Sequence, residues 1–385
     1  MTPSARLLSA IELVDLIAGA ARSNGAAADT IIARWFKERR FAGGKDRAAI
    51  RDLVYEVIRA FGEPPRSARA AVLGLGGFDH LFDGIGYGPA PIAADDERLS
   101  PTPLAPWLAA LIPDEEHVAL LDRAPFDLRV NHGKASRAAV LDALSGASPI
   151  AGTDHGIRLP ANLKLDQHPL WLEGKVEVQD AGSQMIIATC AARPGQTIVD
   201  LCAGAGGKTL GLAADMAGQG RLIACDTDRG RLSRLGPRAE RAGIEGEMRL
   251  LNPGAEEAML ADLQSSADLV LVDAPCSGSG TWRRNPESRW RVTPASLELV
   301  TTLQRRVLGI AAELVKPGGV LVYAVCSLIE HEGRDQIDEF LAVRRGWTAE
   351  PVSLGIGRPH GAGWRLTPAH DGCDGFFIAR LKKPC

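Results

Sequence analysis

The chain is expected to be an α/β protein, with a mostly parallel, doubly wound sheet in its C-terminal half and helices in front of it. Three observations support this. Apolar runs at 197–201, 221–225, 247–251, 268–272 and 319–325 alternate with helix-length sequence, as parallel strands joined by crossover helices do. Residues 4–60 instead carry helical spacing, with Leu7, Ile11, Val14 and Ala18 on one stripe and Ile50, Leu53, Val54, Val57 and Ile58 on another. A length of 385 residues is too great for one ordinary core and suits two or three domains.

The elements follow in order. Residues 62–103 are broken by Gly74, Gly76, Gly77, Gly84, Gly86, Gly88 and Pro89 and read as loops with short helical pieces. Helical signal returns over 104–121. A strand at 127–130, a helix at 135–144 and a strand at 156–159 make a compact connector, and a polar stretch then runs to about 179. Expected boundaries are therefore 1–123 for the helical domain, 124–180 for the connector and 181–385 for the sheet domain. A last strand-like run at 375–381 has no helix before it and can pair antiparallel at the sheet edge.

Composition narrows the function. The hydrophobic fraction is 45% and the charged fraction 24%, so neither disorder nor a membrane protein is indicated, and Glu12 and Asp15 spoil any signal-peptide core at the N-terminus. A cytoplasmic protein is expected. A net charge of −3 leaves any nucleic-acid surface to a local patch. The seven cysteines include no Cys-x-x-Cys pair and no His at zinc spacing, so no metal is expected.

Ligands of such sheets bind beyond the carboxyl ends of the strands. There the first strand delivers Asp200-Leu-Cys202-Ala203-Gly204-Ala205-Gly206-Gly207-Lys208-Thr209. A P-loop needs Gly where Cys202 stands, and a dinucleotide turn needs Gly where Thr209 stands. What remains is a short glycine turn after a strand-end acid, suited to a ligand bearing both an ammonium and a carboxylate. Asp226 ends the second strand roughly 20 residues on, where an acid accepts bonds from ribose hydroxyls; the bland reading, a helix cap, fits Asp228 better.

The fourth strand runs into Asp273-Ala-Pro-Cys276 and the fifth into Tyr323-Ala-Val-Cys326-Ser327. A lone Cys after a buried strand is usually core, but two beside an acid and a cofactor turn point to thiolate chemistry. Between them lies Trp282-Arg283-Arg284-Asn-Pro-Glu-Ser-Arg289-Trp290-Arg291, whose cations and aromatic rings suit phosphates and a splayed base, unless Trp290 simply folds into the core.

Taken together, these segments resemble the Sun-type family of RNA cytosine-5 methyltransferases, in particular its bacterial branch acting on small-subunit ribosomal RNA. The likeness covers nearly the whole chain: residues 41–59 resemble that branch's NusB-like RNA-binding domain, and 128–131 and 178–183 its connector. It implies a Rossmann-like methyltransferase sheet with an antiparallel edge strand, S-adenosylmethionine as cofactor and RNA as partner. The sequence does not fix the oligomeric state; a monomer is the expectation. Carbon 5 of cytosine is a poor nucleophile until a thiolate adds at carbon 6. The resemblance implies Cys326 as that nucleophile and Cys276 as the residue assisting product release. It further implies the loop from Cys202 to Lys208, with Asp226, Arg231, Asn252 and Asp273, around the cofactor, and Lys208 near the reacting groups. Three positions depart from the family pattern: Ala205 for Pro, Asn252 for an acid and Val325 for Thr. Asn252 can still accept one bond and donate another. Two alternatives stay open: a cytosine-5 enzyme of transfer or other RNA, and a non-catalytic RNA-binding assembly factor.

Overall fold

A computed structural model describes residues 1–39, 41–160 and 163–385. They form two compact units, one comprising residues 1–122 with 281–294 and the other 123–280 with 295–385.

The first unit is helical. Helices α1 (Pro3–Arg22), α2 (Ala28–Glu38), α3 (Gly44–Ala60) and α4 (Ala68–Leu75) pack around a core that includes Leu7, Val14, Ile17, Ile32, Ile50, Val54 and Ile58. Helix α1 starts where Thr2 accepts from the Ala5 amide, and α4 where Ser67 accepts from that of Ala70. The helix expected over 104–121 is only two short pieces, Pro106–Ala109 and a 3-10 turn at Asp114–Glu116, because Pro106 and Pro113 each remove an amide donor and open a new start.

Segment 281–294, which lies inside the range expected for the sheet domain, belongs to the helical unit. It supplies what the helices lack. Helix α2 has no side-chain cap of its own, and Glu287 accepts from the Ala28 amide at 2.8 Å in its place. At the other end of α3, Arg289 donates to the carbonyls of Ile58, Arg59 and Phe61, and Trp290 Nε1 to that of Phe61 at 2.6 Å. These satisfy last-turn carbonyls that would otherwise be orphaned.

The second unit holds two sheets. Strands β1 (Phe126–Val130), β2 (Ser148–Pro149), β3 (Gly156–Leu159) and β4 (Val176–Val178) make an antiparallel sheet in the order β2-β3-β1-β4. The larger sheet contains β5 (Thr197–Asp200), β6 (Arg221–Asp226), β7 (Glu247–Leu250), β8 (Ala267–Asp273) and β9 (Val315–Val325), all parallel. Short strands β10 (Thr348–Glu350), β11 (Arg358–His360) and β12 (Gly363–Leu366) precede β13 (Phe376–Lys382), and the order is β11-β12-β13-β9-β8-β5-β6-β7, with β10 also on β13. Strand β13 pairs antiparallel with β9, but it is not the edge. The β11–β12 hairpin lies beyond it; strands of three and four residues are too short to show a period in sequence. The central strands are buried on both faces, as continuous Val, Ile and Leu runs require. No helix among the described residues is long and apolar enough to cross a membrane.

Candidate functional site

The site gathers at the carboxyl ends of β5, β6, β8 and β9. After β5 the chain turns through Gly204 (φ +57°) and Gly206 (φ +81°), left-handed backbone that only glycine adopts freely. A β-carbon at Gly204 would stand 2.5 Å from the Arg231 guanidinium, and one at Gly206 would stand 2.1 Å from Leu235. The helix Gly207–Asp215 starts directly from this turn.

The acids around the turn divide into two kinds. Asp226 has one oxygen on the Gly204 amide and the other on that of Asp228, both at 2.7 Å, so it braces the loop while facing the cavity. Asp228 caps the next short helix by accepting from the Arg231 amide. Asp200 is buried and takes the Thr209 hydroxyl at 2.6 Å; burial pushes its carboxyl up to about 7.

Lys208 donates to Asp273 Oδ2 at 2.5 Å. Burial disfavours the Lys208 ammonium, yet the charge and hydrogen bond of Asp273 outweigh it and hold the amine above its ordinary range. Across the strand ends, Cys276 Sγ and Cys326 Sγ are 3.3 Å apart, and both cysteines are free. The Cys276 thiol is raised well above its usual range by its bond to Cys326, by burial and by the neighbouring charge of Glu332.

A cavity of about 380 Å³ joins these groups. Its walls include Cys202, Asp226, Arg231, Asp273, Cys276 and Cys326, with apolar cover from Leu251, Leu303, Val307 and Ile310. A larger hollow of about 520 Å³ near Asn131, Lys134 and Gln219 has no acid and nucleophile converging on it, so the smaller cavity is the chemically equipped one. Residues Ala203, Gly204, Ala205, Gly206 and Gly207 form the turn behind the cavity rather than its lining.

Three expectations need correction. Asn252 is exposed and does not line the cavity; the chain bends away after Leu251, and buried Glu256, held by Arg306 at 2.5 Å and by the Gly254 amide at 2.8 Å, does so instead. Arg289 and Trp290 are not a surface for RNA: they are 1% and 6% exposed, and their donors are spent on backbone carbonyls of the helical unit. Arg283 is buried too, which leaves Arg284 as the partly exposed member of that group.

Glu256 and Glu332 carry no motif signal and were missed in sequence. Elsewhere His132, His155 and Asp215 bring ligand atoms within 4.8 Å of one another. The two rings stack 4.2 Å apart at 19°, a face-to-face arrangement in which no ion can lie in both ring planes, so we place no metal there.

Comparison with known proteins gives a consistent picture. The family described as "16S rRNA methyltransferase RsmB/F" matches residues 187–382. A Synechocystis protein named "Probable ribosomal RNA small subunit methyltransferase B" is 38% identical over 275 residues, 67% of this chain. Ribosomal RNA small subunit methyltransferase B of Erwinia tasmaniensis is 35% identical over 265 residues, 68% of this chain. In both cases the match spans 60% of the relative's own length. Among solved structures, PH0851 is similar in fold over 100% of this chain and 99% of its own, with a TM-score of 0.78 at 23% identity. A methyltransferase homolog protein from Pyrococcus horikoshii covers 70% of this chain and 90% of its own, with a TM-score of 0.61 at 28% identity.

Proposed function

Because the chain belongs to the 16S rRNA methyltransferase RsmB/F family, we propose that it transfers a methyl group from S-adenosylmethionine to carbon 5 of a cytosine in small-subunit ribosomal RNA. The observation that carries this reading is the pair of free thiols, 3.3 Å apart, on the wall of a cavity that also presents Asp273 and Asp226.

The cavity suits the cofactor by the chemistry of its donors. Asp226 and Glu256 can accept from ribose hydroxyls, Leu251, Val307 and Ile310 can cover a planar ring, and Asp273 sits at the thiol end, where a cationic group is favoured. When bound there, S-adenosylmethionine supplies an electrophilic methyl group.

The chain's own residues do the rest. The Cys326 thiolate adds to carbon 6 of the cytosine, forming a C–S bond and making carbon 5 nucleophilic enough to take the methyl. Loss of the carbon 5 proton to a base then drives the C–S electron pair back to Cys326, with Cys276 assisting release. Lys208, charged and fixed by Asp273, stands beside Cys326 at the reacting end of the site. The expected setting is cytoplasmic, where these thiols stay reduced.

The test is mass spectrometry of nucleosides from small-subunit RNA incubated with the protein and methyl-labelled S-adenosylmethionine. Label in 5-methylcytidine is expected; label confined to another nucleoside, or none, overturns the reading.

A further inference from the structure

Glu332 is completely buried and forms no part of the cavity wall. Its carboxylate collects four donors. One oxygen accepts from the Ser277 amide at 2.6 Å and from Gln304 Nε2 at 3.4 Å; the other accepts the hydroxyls of Ser277 and Ser327, each at 2.5 Å. Ser277 directly follows Cys276, and Ser327 directly follows Cys326. One side chain therefore ties together the two loops that carry the thiols.

The surrounding bonds all serve the same register. The Tyr323 hydroxyl, on the strand leading to Cys326, donates to the Glu332 carbonyl at 2.7 Å. Gln304 also donates to the carbonyl of Pro275, the residue before Cys276, at 2.8 Å. Since the Ser327 hydroxyl is donated to Glu332, Ser279 must be the donor in its 2.9 Å bond to Ser327, and its own oxygen takes the Leu328 amide.

A buried carboxylate ordinarily has a cationic partner. Among the described residues no Lys or Arg pairs with Glu332. A neutral side chain could bridge two serines at lower desolvation cost, so the charge calls for a reason beyond fastening. We propose that Glu332 is the positioning residue of the thiol pair, fixing Cys276 and Cys326 in register while its negative charge disfavours a second thiolate beside the first. The inference rests on the cysteine chemistry proposed above. It agrees with the raised Cys276 thiol, in which the Cys326 hydrogen bond and burial act first and the charge of Glu332 adds to them. The groups that face the pair are Glu332, Tyr323, Asp273, Lys208 and Cys202.

The experiment compares full-length wild type, Glu332→Gln, Ser327→Ala, Cys276→Ala and Cys326→Ala with small-subunit RNA and labelled S-adenosylmethionine. Rates are taken across pH and thermal unfolding is followed in parallel. For Glu332→Gln we expect KM for S-adenosylmethionine unchanged, kcat lower by roughly 100-fold, and the alkaline limb of the kcat profile moved down by roughly one pH unit as Cys276 loses its proton earlier. A profile that falls in height without moving reduces Glu332 to a structural bridge and overturns the proposal. Ser327→Ala, which cuts one link and keeps the charge, should lower kcat at constant KM with its alkaline limb in place; full activity in that variant also counts against the proposal. Should Cys326→Ala still methylate, the cysteine reading and this inference fall together. Should it be inactive while Glu332→Gln behaves as wild type, only the role of Glu332 falls.

Discussion

Arg289 Nη2 donates to the carbonyl of Ile58 at 2.6 Å, joining residues 231 positions apart in the chain. Four further carbonyls, of Arg59, Phe61, Pro103 and Pro286, extend its hold on the helical unit. Burial lowers this arginine to about 9, so it stays charged at neutral pH while buried.

Arg289→Ala should accordingly destabilise the helical unit by about 3 kcal/mol, since it strands several buried carbonyls at once. Arg289→Lys should recover little, because an ammonium cannot reproduce the fork that reaches them. Denaturant unfolding followed by helical circular dichroism checks this. A loss of RNA affinity with unaltered unfolding would contradict the structural role and revive the surface reading.

The pH dependence of stability should carry the mark of Asp200. Its folded carboxyl titrates near 7 against an ordinary 3.8, so between those values the native state binds the extra proton and stability falls as pH rises. The difference corresponds to about 4 kcal/mol over that window. Asn at this position cannot titrate. Any stability advantage of wild type over Asp200→Asn should therefore shrink from pH 4 to pH 7 and be flat above it. An advantage that grows over the same range would show the sign to be wrong.

The glycine turn offers a third check. Gly206→Ala combines a left-handed backbone with a β-carbon 2.1 Å from Leu235, in a segment that shapes the cofactor loop. The backbone strain alone is about 1 to 2 kcal/mol, and the collision adds to it. Calorimetry should show S-adenosylmethionine bound at least tenfold more weakly. Gly195, also at positive φ but open on that side, is the control whose alanine variant should bind normally.

Much of this was legible in the sequence for identifiable reasons. The parallel strands announce themselves because burial on both faces demands unbroken Val, Ile and Leu runs, and Cys326 directly follows such a run while Cys276 stands three residues beyond the end of another. Strands β10 to β12 were not legible, since three or four residues carry no period. Glu256 and Glu332 escaped because a carboxylate on a helical segment of only three or four residues leaves no spacing to read. Arg289 and Trp290 were misread for a different reason: cations among aromatic rings have the composition of an RNA surface and equally that of a buried cap on α3. Asn252 was placed by the family resemblance, which puts an acid at the end of the third strand, and the bend after Leu251 carries it away from the cavity.

The claim on which the rest depends is that the two thiols have unequal roles. Denaturing electrophoresis of Cys276→Ala and Cys326→Ala after incubation with small-subunit RNA and S-adenosylmethionine tests it most directly. Cys276→Ala is expected to accumulate a covalent protein–RNA band, because the adduct forms and its release is impaired. Cys326→Ala is expected to give neither adduct nor methylated product. A covalent band from Cys326→Ala, with none from Cys276→Ala, would contradict the assignment.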